Sequence, residues 1–357
     1  MTRVETASGC GAGAAQVTVE SFARHGGRLS VAQALFPQAP APWVDLSTGI
    51  NPESYPAPRA NEAERNRLPD VRELARLEAL AAQAFGVEDP ARVVAVGGTE
   101  SSLRLLPYAL GHRHAVVAGP TYGSHGDAWK RFGANVQIVV DTAIERAIQT
   151  ARVALTIVNP NNPDGRVVSV ARLQLLHEIV TKVDGKLIVD EAFAEVTPYA
   201  SVASIAGSDE AANLIVLRSF GKFYGLAGVR LGFVIAAPPL AAILRGMLGD
   251  WPVSSDALVA GLAAYADEAW ARATRARLQE NADRLDALLI DSGFEIRGGT
   301  SLYRLARAHD ASARFLRFAE AGVLVRPFAH DSSLLRFGLP GTPAAWERVA
   351  AALTETV

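Results

Sequence analysis

The sequence predicts an α/β protein with a largely parallel sheet, followed by a smaller α+β region. Three observations lead there. Short, continuous Val/Ile/Leu runs recur between residues 93 and 217, and strands that are apolar throughout belong to sheets covered on both faces. Stretches of helical character separate several of these runs, which is the pattern of repeated β-α units. Beyond residue 290 the order changes to strand-like, helical and again strand-like segments packed close together, as in a segregated α+β arrangement.

The elements follow in order. Residues 1–20 are rich in Gly, Ala and Thr and read as a loose tail. Within it, Gly9-Cys10-Gly11-Ala12-Gly13 has the spacing of a dinucleotide loop. No strand precedes it and no acidic partner follows a βαβ unit, so it is assigned to the tail. A helix starts near residue 70: Asp70 caps it, Glu73 completes a capping box, and Leu74, Leu77, Ala81, Ala84 and Phe85 form one face up to Gly86. Val93–Val96 is the first buried strand, and Gly97-Gly98-Thr99-Glu100 opens the next helix. Ala115–Ala118, Val136–Val140, Val153–Val158, Leu187–Val189 and Leu214–Leu217 continue the strand series, with a helix after Tyr122. Residues 255–290 read as one long helical stretch, rich in Ala, Leu and Arg and without proline. The α+β region comprises Phe294–Leu305, a helix near 311–321, Val323–Arg326 and Leu334–Leu339.

With 357 residues the chain can bury a large core. A net charge of −2 advertises no basic face, so nucleic acid is not an expected partner. The most hydrophobic stretch, Leu231 to Leu248, is interrupted by Pro238, Pro239 and Arg245, so no membrane span is expected. Residues 1–20 lack a continuous apolar run, so no secretory leader is expected either. The single cysteine, Cys10, cannot form an internal disulfide, which suits a reducing cytoplasm.

Chemistry is concentrated at a few positions. Only four of the 35 Lys and Arg residues are lysines: Lys130, Lys182, Lys186 and Lys222. Arginine does not give up its proton, whereas a lysine with a lowered pKa can attack a carbonyl. Lys222, between glycines and Phe220, Phe223 and Tyr224, is therefore a candidate Schiff-base former; the plain alternative is a loop lysine. Gly97-Gly98-Thr99-Glu100-Ser101, at a strand-to-helix junction, offers free backbone N–H groups to an anion, or is an ordinary capped turn. Asn159-Pro160-Asn161-Asn162-Pro163-Asp164-Gly165 is a run of turn formers, at a strand end where open α/β sheets bind ligands. Asp190 ends another buried run and needs a partner: an arginine, or a cationic ring nitrogen. Together these groups match the needs of pyridoxal phosphate: an amine for its aldehyde, a carboxylate for its pyridinium nitrogen and a phosphate cup. In that scheme Lys222, Asp190 and the Gly98-Thr99 loop take those parts. Asn162 faces the ring hydroxyl and Tyr122 lies over the ring. Ser219 and Arg230, at −3 and +8 from Lys222, add phosphate contacts.

With these residues in place, Ser219-Phe-Gly-Lys222-Phe-Tyr-Gly-Leu-Ala-Gly-Val-Arg230-Leu-Gly resembles the lysine signature of the fold-type I, class I/II aminotransferase superfamily, and the resemblance runs from about residue 21 to the end. It implies a largely parallel seven-stranded sheet flanked by helices, pyridoxal 5′-phosphate as cofactor, and a homodimer. It also implies a division into an N-terminal segment over 21–60 that contributes to the small domain and substrate site, a large cofactor-binding domain over 61–270, and a small domain over 271–357. Two branches resemble the chain most: threonine-phosphate decarboxylases of cobalamin biosynthesis and histidinol-phosphate aminotransferases. His25-Gly26-Gly27, Asp45-Leu46-Ser47-Thr48-Gly49-Ile50-Asn51-Pro52 and Asp190-Glu-Ala-Phe193 resemble the decarboxylase branch. A carboxylate-binding arginine falls on Arg336 and a second substrate arginine on Arg326.

The resemblance thus implies a small phosphorylated amino acid as substrate, bound by His25, Gly26, Gly49, Asn162, Arg326 and Arg336. Aminotransfer is the alternative activity. A catalytically silent partner in corrinoid side-chain attachment is a third reading, which the presence of Lys222, Asp190 and Arg336 opposes. Three positions depart from the family pattern. Gly49 replaces an Asn, which implies a lost substrate contact. Phe193 has no hydroxyl for the ring oxygen. Leu68 stands where relatives place a tyrosine that reaches the neighbouring subunit.

Overall fold

The structure of the chain, a computed structural model, describes residues 19–23 and 25–354. The Gly9–Gly13 stretch, and all but the end of the tail expected over 1–20, lie outside the described residues. The strands are β1 (Val44–Asp45), β2 (Val93–Val96), β3 (His114–Ala118), β4 (Asn135–Val139), β5 (Val153–Val158), β6 (Lys186–Asp190), β7 (Leu214–Ser219), β8 (Gly232–Ile235), β9 (Glu295–Thr300), β10 (Tyr303–Arg307), β11 (Val323–Leu324), β12 (Arg326–Pro327) and β13 (Leu334–Gly338).

Seven of them form one sheet in the order β2-β8-β7-β6-β5-β3-β4. All run parallel except β8, which is antiparallel to both β2 and β7. The continuous apolar runs have the expected cause: every residue of β5 and β7 is buried. Alternate residues of β7 serve opposite faces. Leu214 and Val216 join one core with Phe233, while Ile215 and Leu217 join the other with Val234. The edge strand β4 departs from the expected two-sided cover, with Ile138 59% exposed.

The remaining strands build a four-stranded antiparallel sheet, β12-β13-β10-β9, and a parallel pair, β1-β11. Val44 pairs with Val323 and Asp45 with Leu324, which ties the N-terminal segment to the C-terminal α+β part.

Three local expectations change. Asp70 caps the Val71–Phe85 helix by accepting from the Arg72 N–H at 2.8 Å, without a box to Glu73; the capping box lies earlier, between Asn61 and Glu64. The stretch over 255–290 is two helices, Ser255–Ala266 and Glu268–Asp291. Asp267 accepts from the Trp270 N–H at 2.9 Å and restarts the helix, a break made by a cap and not by proline. Finally, Leu231–Leu248 contains the strand β8 and the helix Pro238–Leu248, the prolines falling in the first helical turn where no intrahelical N–H is needed. Among the described residues no helix is long and apolar enough to cross a membrane.

Candidate active site

The carboxyl ends of the parallel strands lie along one edge of the large sheet, and antiparallel β8 starts there. A cavity of about 280 Å³ opens at that edge. Every residue nominated from the sequence lines it: His25, Gly26, Gly49, Gly98, Thr99, Tyr122, Asn162, Asp190, Ser219, Lys222, Arg230, Arg326 and Arg336.

Lys222 follows β7 in the short helix Phe220–Phe223. Its backbone is clamped by Asn51, whose N–H donates to the Lys222 carbonyl at 2.9 Å and whose Nδ2 donates to the Phe223 carbonyl at 2.9 Å. Burial, helped by the positive charges of Arg336, Arg230 and Arg326 and opposed by Asp190, brings the amine down to about 8. A lysine so placed holds a usable neutral fraction near neutral pH.

Asp190 closes β6 and is buried. Its Oδ2 lies 2.8 Å from His125 Nε2, and its Oδ1 accepts from the Ala192 N–H at 3.0 Å. The arginine considered as its partner goes instead to the next residue. Glu191 points to the other face of the sheet and accepts from Arg218 at 2.9 Å, and Arg218 also donates to Glu195 at 2.9 Å. Asp190 thus keeps an arginine-free carboxylate toward the cleft. His125 was missed in the sequence; its only signal there is its position three residues beyond Tyr122 at the start of a helix (Ser124–Phe132).

The anion cup has a steric basis. Gly98, at φ 83°, precedes the helix Thr99–Leu110, and a Cβ there would stand 2.6 Å from Arg230 Nη2. The absence of a side chain lets the guanidinium approach the helix N-terminus. Arg230 itself adopts a left-handed backbone, φ 58°, unusual for a non-glycine residue. Ser219 starts the Lys222 helix without using its hydroxyl as a cap.

The opposite wall is arginine. Arg336 is buried; its Nη1 donates to Asn162 Oδ1 at 2.6 Å and its Nη2 to the Ser47 carbonyl at 2.8 Å. Burial and nearby Arg326 both disfavour its charge. Asn162, given from the sequence to both cofactor and substrate, also accepts from Arg336. Ser47 also accepts the Gly27 N–H on its Oγ at 2.7 Å, and that hydroxyl donates to Asp45 Oδ1 at 2.6 Å, which docks the His25–Gly27 segment on the cleft. Tyr122 donates to Glu100 Oε2 at 3.2 Å, and its ring meets those of His25 and His125 edge-on at 6.3 and 6.1 Å. Burial raises its hydroxyl pKa. Leu68 is 62% exposed and does not reach the cavity.

A desolvated lysine, a histidine-tethered carboxylate and a guanidinium at a helix N-terminus, gathered in one cleft, are the donor set that pyridoxal phosphate requires, and the residues present fit that group. The family model for class I and II aminotransferases matches residues 42–353, and the chain belongs to this family. It is 38% identical to a threonine-phosphate decarboxylase of Pseudomonas aeruginosa over 335 residues, covering 92% of this chain and 96% of the relative. It is 32% identical to a histidinol-phosphate aminotransferase of Bradyrhizobium diazoefficiens, over 80% of this chain and 84% of that one. Its fold matches the structure of histidinol-phosphate aminotransferase from Sinorhizobium meliloti in complex with pyridoxal-5′-phosphate, with a TM-score of 0.72, 20% identity and coverage of 82% and 83%. The chain is a pyridoxal-phosphate-dependent enzyme.

Proposed function

We propose that the chain decarboxylates O-phospho-L-threonine to (R)-1-aminopropan-2-yl phosphate, as a step of cobalamin biosynthesis. The observation that carries this reading is an arginine pair. Arg326 and Arg336 stand opposite each other in register across β12 and β13, and both line the cleft. Like charges directly opposite in a sheet are destabilising, and a ligand with two anionic groups offsets that cost. A phosphorylated amino acid is such a ligand, and the relatedness to threonine-phosphate decarboxylases supports the same choice.

Lys222, Asp190, Asn162, Ser219, Arg230 and the Gly98-Thr99 turn would hold the cofactor. Bound there, pyridoxal phosphate supplies an electron sink for the bond that breaks at the substrate Cα. Asp190, held in place by His125, would be the carboxylate that serves the cofactor's ring nitrogen. Arg336 grips the substrate carboxylate with two parallel hydrogen bonds, and Arg326 with the His25–Gly26 segment takes the phosphate. The Cα–carboxylate bond breaks, CO₂ leaves, and Lys222 Nζ returns a proton to Cα. Tyr122 and the buried walls limit water access. In this reading the enzyme works as a cytoplasmic homodimer.

The test is an assay of the cofactor-loaded protein with O-phosphothreonine and no 2-oxo acid. Release of CO₂ with one equivalent of aminopropanol phosphate is expected. Turnover only with histidinol phosphate and 2-oxoglutarate would make it an aminotransferase, and no turnover with either would make it a silent partner.

A further inference from the structure

Tyr303 does not line the cleft, yet it touches the groups that shape its arginine wall. It lies in β10, fully buried, in register with Gly338 of β13. Its ring centroid is 5.0 Å from Arg336 Cζ, within the range where a guanidinium is attracted to an aromatic face. Its hydroxyl donates to the Asn161 carbonyl at 2.5 Å. The next residue, Asn162, accepts from Arg336. Ring, hydroxyl, turn and guanidinium therefore close a circuit around Arg336. Gly49 belongs to the same circuit: a Cβ there would lie 2.7 Å from Tyr303 Cδ1 and 3.1 Å from Phe193 Cε1. The Tyr303 ring also meets that of Phe193 edge-on, centroids 5.0 Å apart at 72°.

We propose that Tyr303 is the positioning residue for Arg336, its ring and hydroxyl together fixing the guanidinium at the carboxylate end of the cleft, and that residue 49 is glycine because this ring occupies the space a side chain would need. The inference rests on the reading that Arg336 takes the substrate carboxylate. Tyr303 acts through Arg336, so its loss falls on ligands that carry an α-carboxylate and spares those that do not. Gly49 is then a requirement of the arginine wall, beyond the mere loss of an asparagine contact.

The experiment uses cofactor-loaded protein in a Lys222→Ala background, which binds without turnover. Calorimetry gives dissociation constants for O-phospho-L-threonine and for 1-aminopropan-2-yl phosphate, which lacks the carboxylate. Tyr303→Leu is expected to weaken the first by about tenfold, equivalent to about 1.4 kcal/mol, and to leave the second within about twofold. Tyr303→Phe, which keeps the ring and loses the bond to the Asn161 carbonyl, recovers part of the loss. Gly49→Ala gives the same selective weakening and adds little to Tyr303→Leu, and it carries the test if Tyr303→Leu does not fold. Equal weakening of both ligands, or no weakening of either, overturns the proposal. If the Lys222→Ala protein binds neither ligand, the substrate reading fails instead. Tyr303 is then judged by the same criterion with L-glutamate and 4-aminobutyrate, which also differ by the α-carboxylate.

Discussion

At one end of the cleft, Thr99, Asn162, Asp190, Ser219 and Lys222 all sit at or just beyond the carboxyl ends of strands in a single sheet. At the other end, His25, Gly49, Arg326 and Arg336 come from the N-terminal segment and the C-terminal α+β part, which meet through the β1–β11 pair and the bond from Arg336 to Ser47, 289 residues apart in sequence. The charges differ as well. The sheet end balances Lys222 and Arg230 with Asp190, whereas the far wall sets Arg326 against Arg336. In the proposed function the sheet end is the part that holds the cofactor. The far wall is, in the same reading, the part that receives the anionic groups of the substrate.

The largest effect is expected at Lys222, on which both ends act. Burial and the charges of Arg336 and Arg230 bring it from 10.5 to about 8, so below pH 8 the cofactor-free protein contains a buried ammonium. Between pH 8 and 10.5 the unfolded chain binds a proton there that the folded chain does not, and stability rises with pH across that window. Lys222→Met should abolish turnover and yet stabilise the cofactor-free protein at pH 7 by roughly 3 kcal/mol, with the gain fading between pH 8 and 10.5 and gone above pH 10.5. Urea unfolding at both pH values measures it; a loss of stability at pH 7 would mean the lysine is not held against its charge.

Arg336→Lys separates the two ends. It keeps the charge but loses the planar fork, and KM for the phosphorylated amino acid should rise by about 10- to 100-fold with cofactor affinity unchanged. His125→Phe does the converse. It removes the 2.8 Å contact to Asp190, and kcat should fall by up to about tenfold while KM stays put. Steady-state kinetics together with cofactor titration reads both. If each variant moves kcat and KM alike, the two ends are not separable.

This division also explains what was legible in the sequence. The sheet end is encoded locally: apolar runs mark β5, β6 and β7, Asn162 and Lys222 follow β5 and β7 within a few residues, and Asp190 closes β6. What escaped depends on distance. His125 declares itself only by its contact with Asp190, Asn51 only by its hold on the Lys222 backbone, and Tyr303 only by the ring it places beside Arg336. Strand β8 was hidden because an antiparallel strand running straight into a proline-led helix reads as one hydrophobic block. The break at Asp267 was hidden because a side-chain cap interrupts a helix without any of the usual breakers. Arg336 was placed through the family resemblance, but its grip on Asn162 and Ser47 was not written in the sequence.

In the proposed function the far wall chooses which bond at Cα breaks, and one measurement addresses that choice directly. The cofactor-loaded enzyme is run in D₂O with O-phospho-L-threonine and no 2-oxo acid. CO₂ release should match product formation, with one deuterium at the former Cα of the aminopropanol phosphate and none at Cα of recovered substrate. Deuterium entering recovered substrate without CO₂ release would mean that the Cα–H bond is the one labilised, and would contradict a cleft built for decarboxylation.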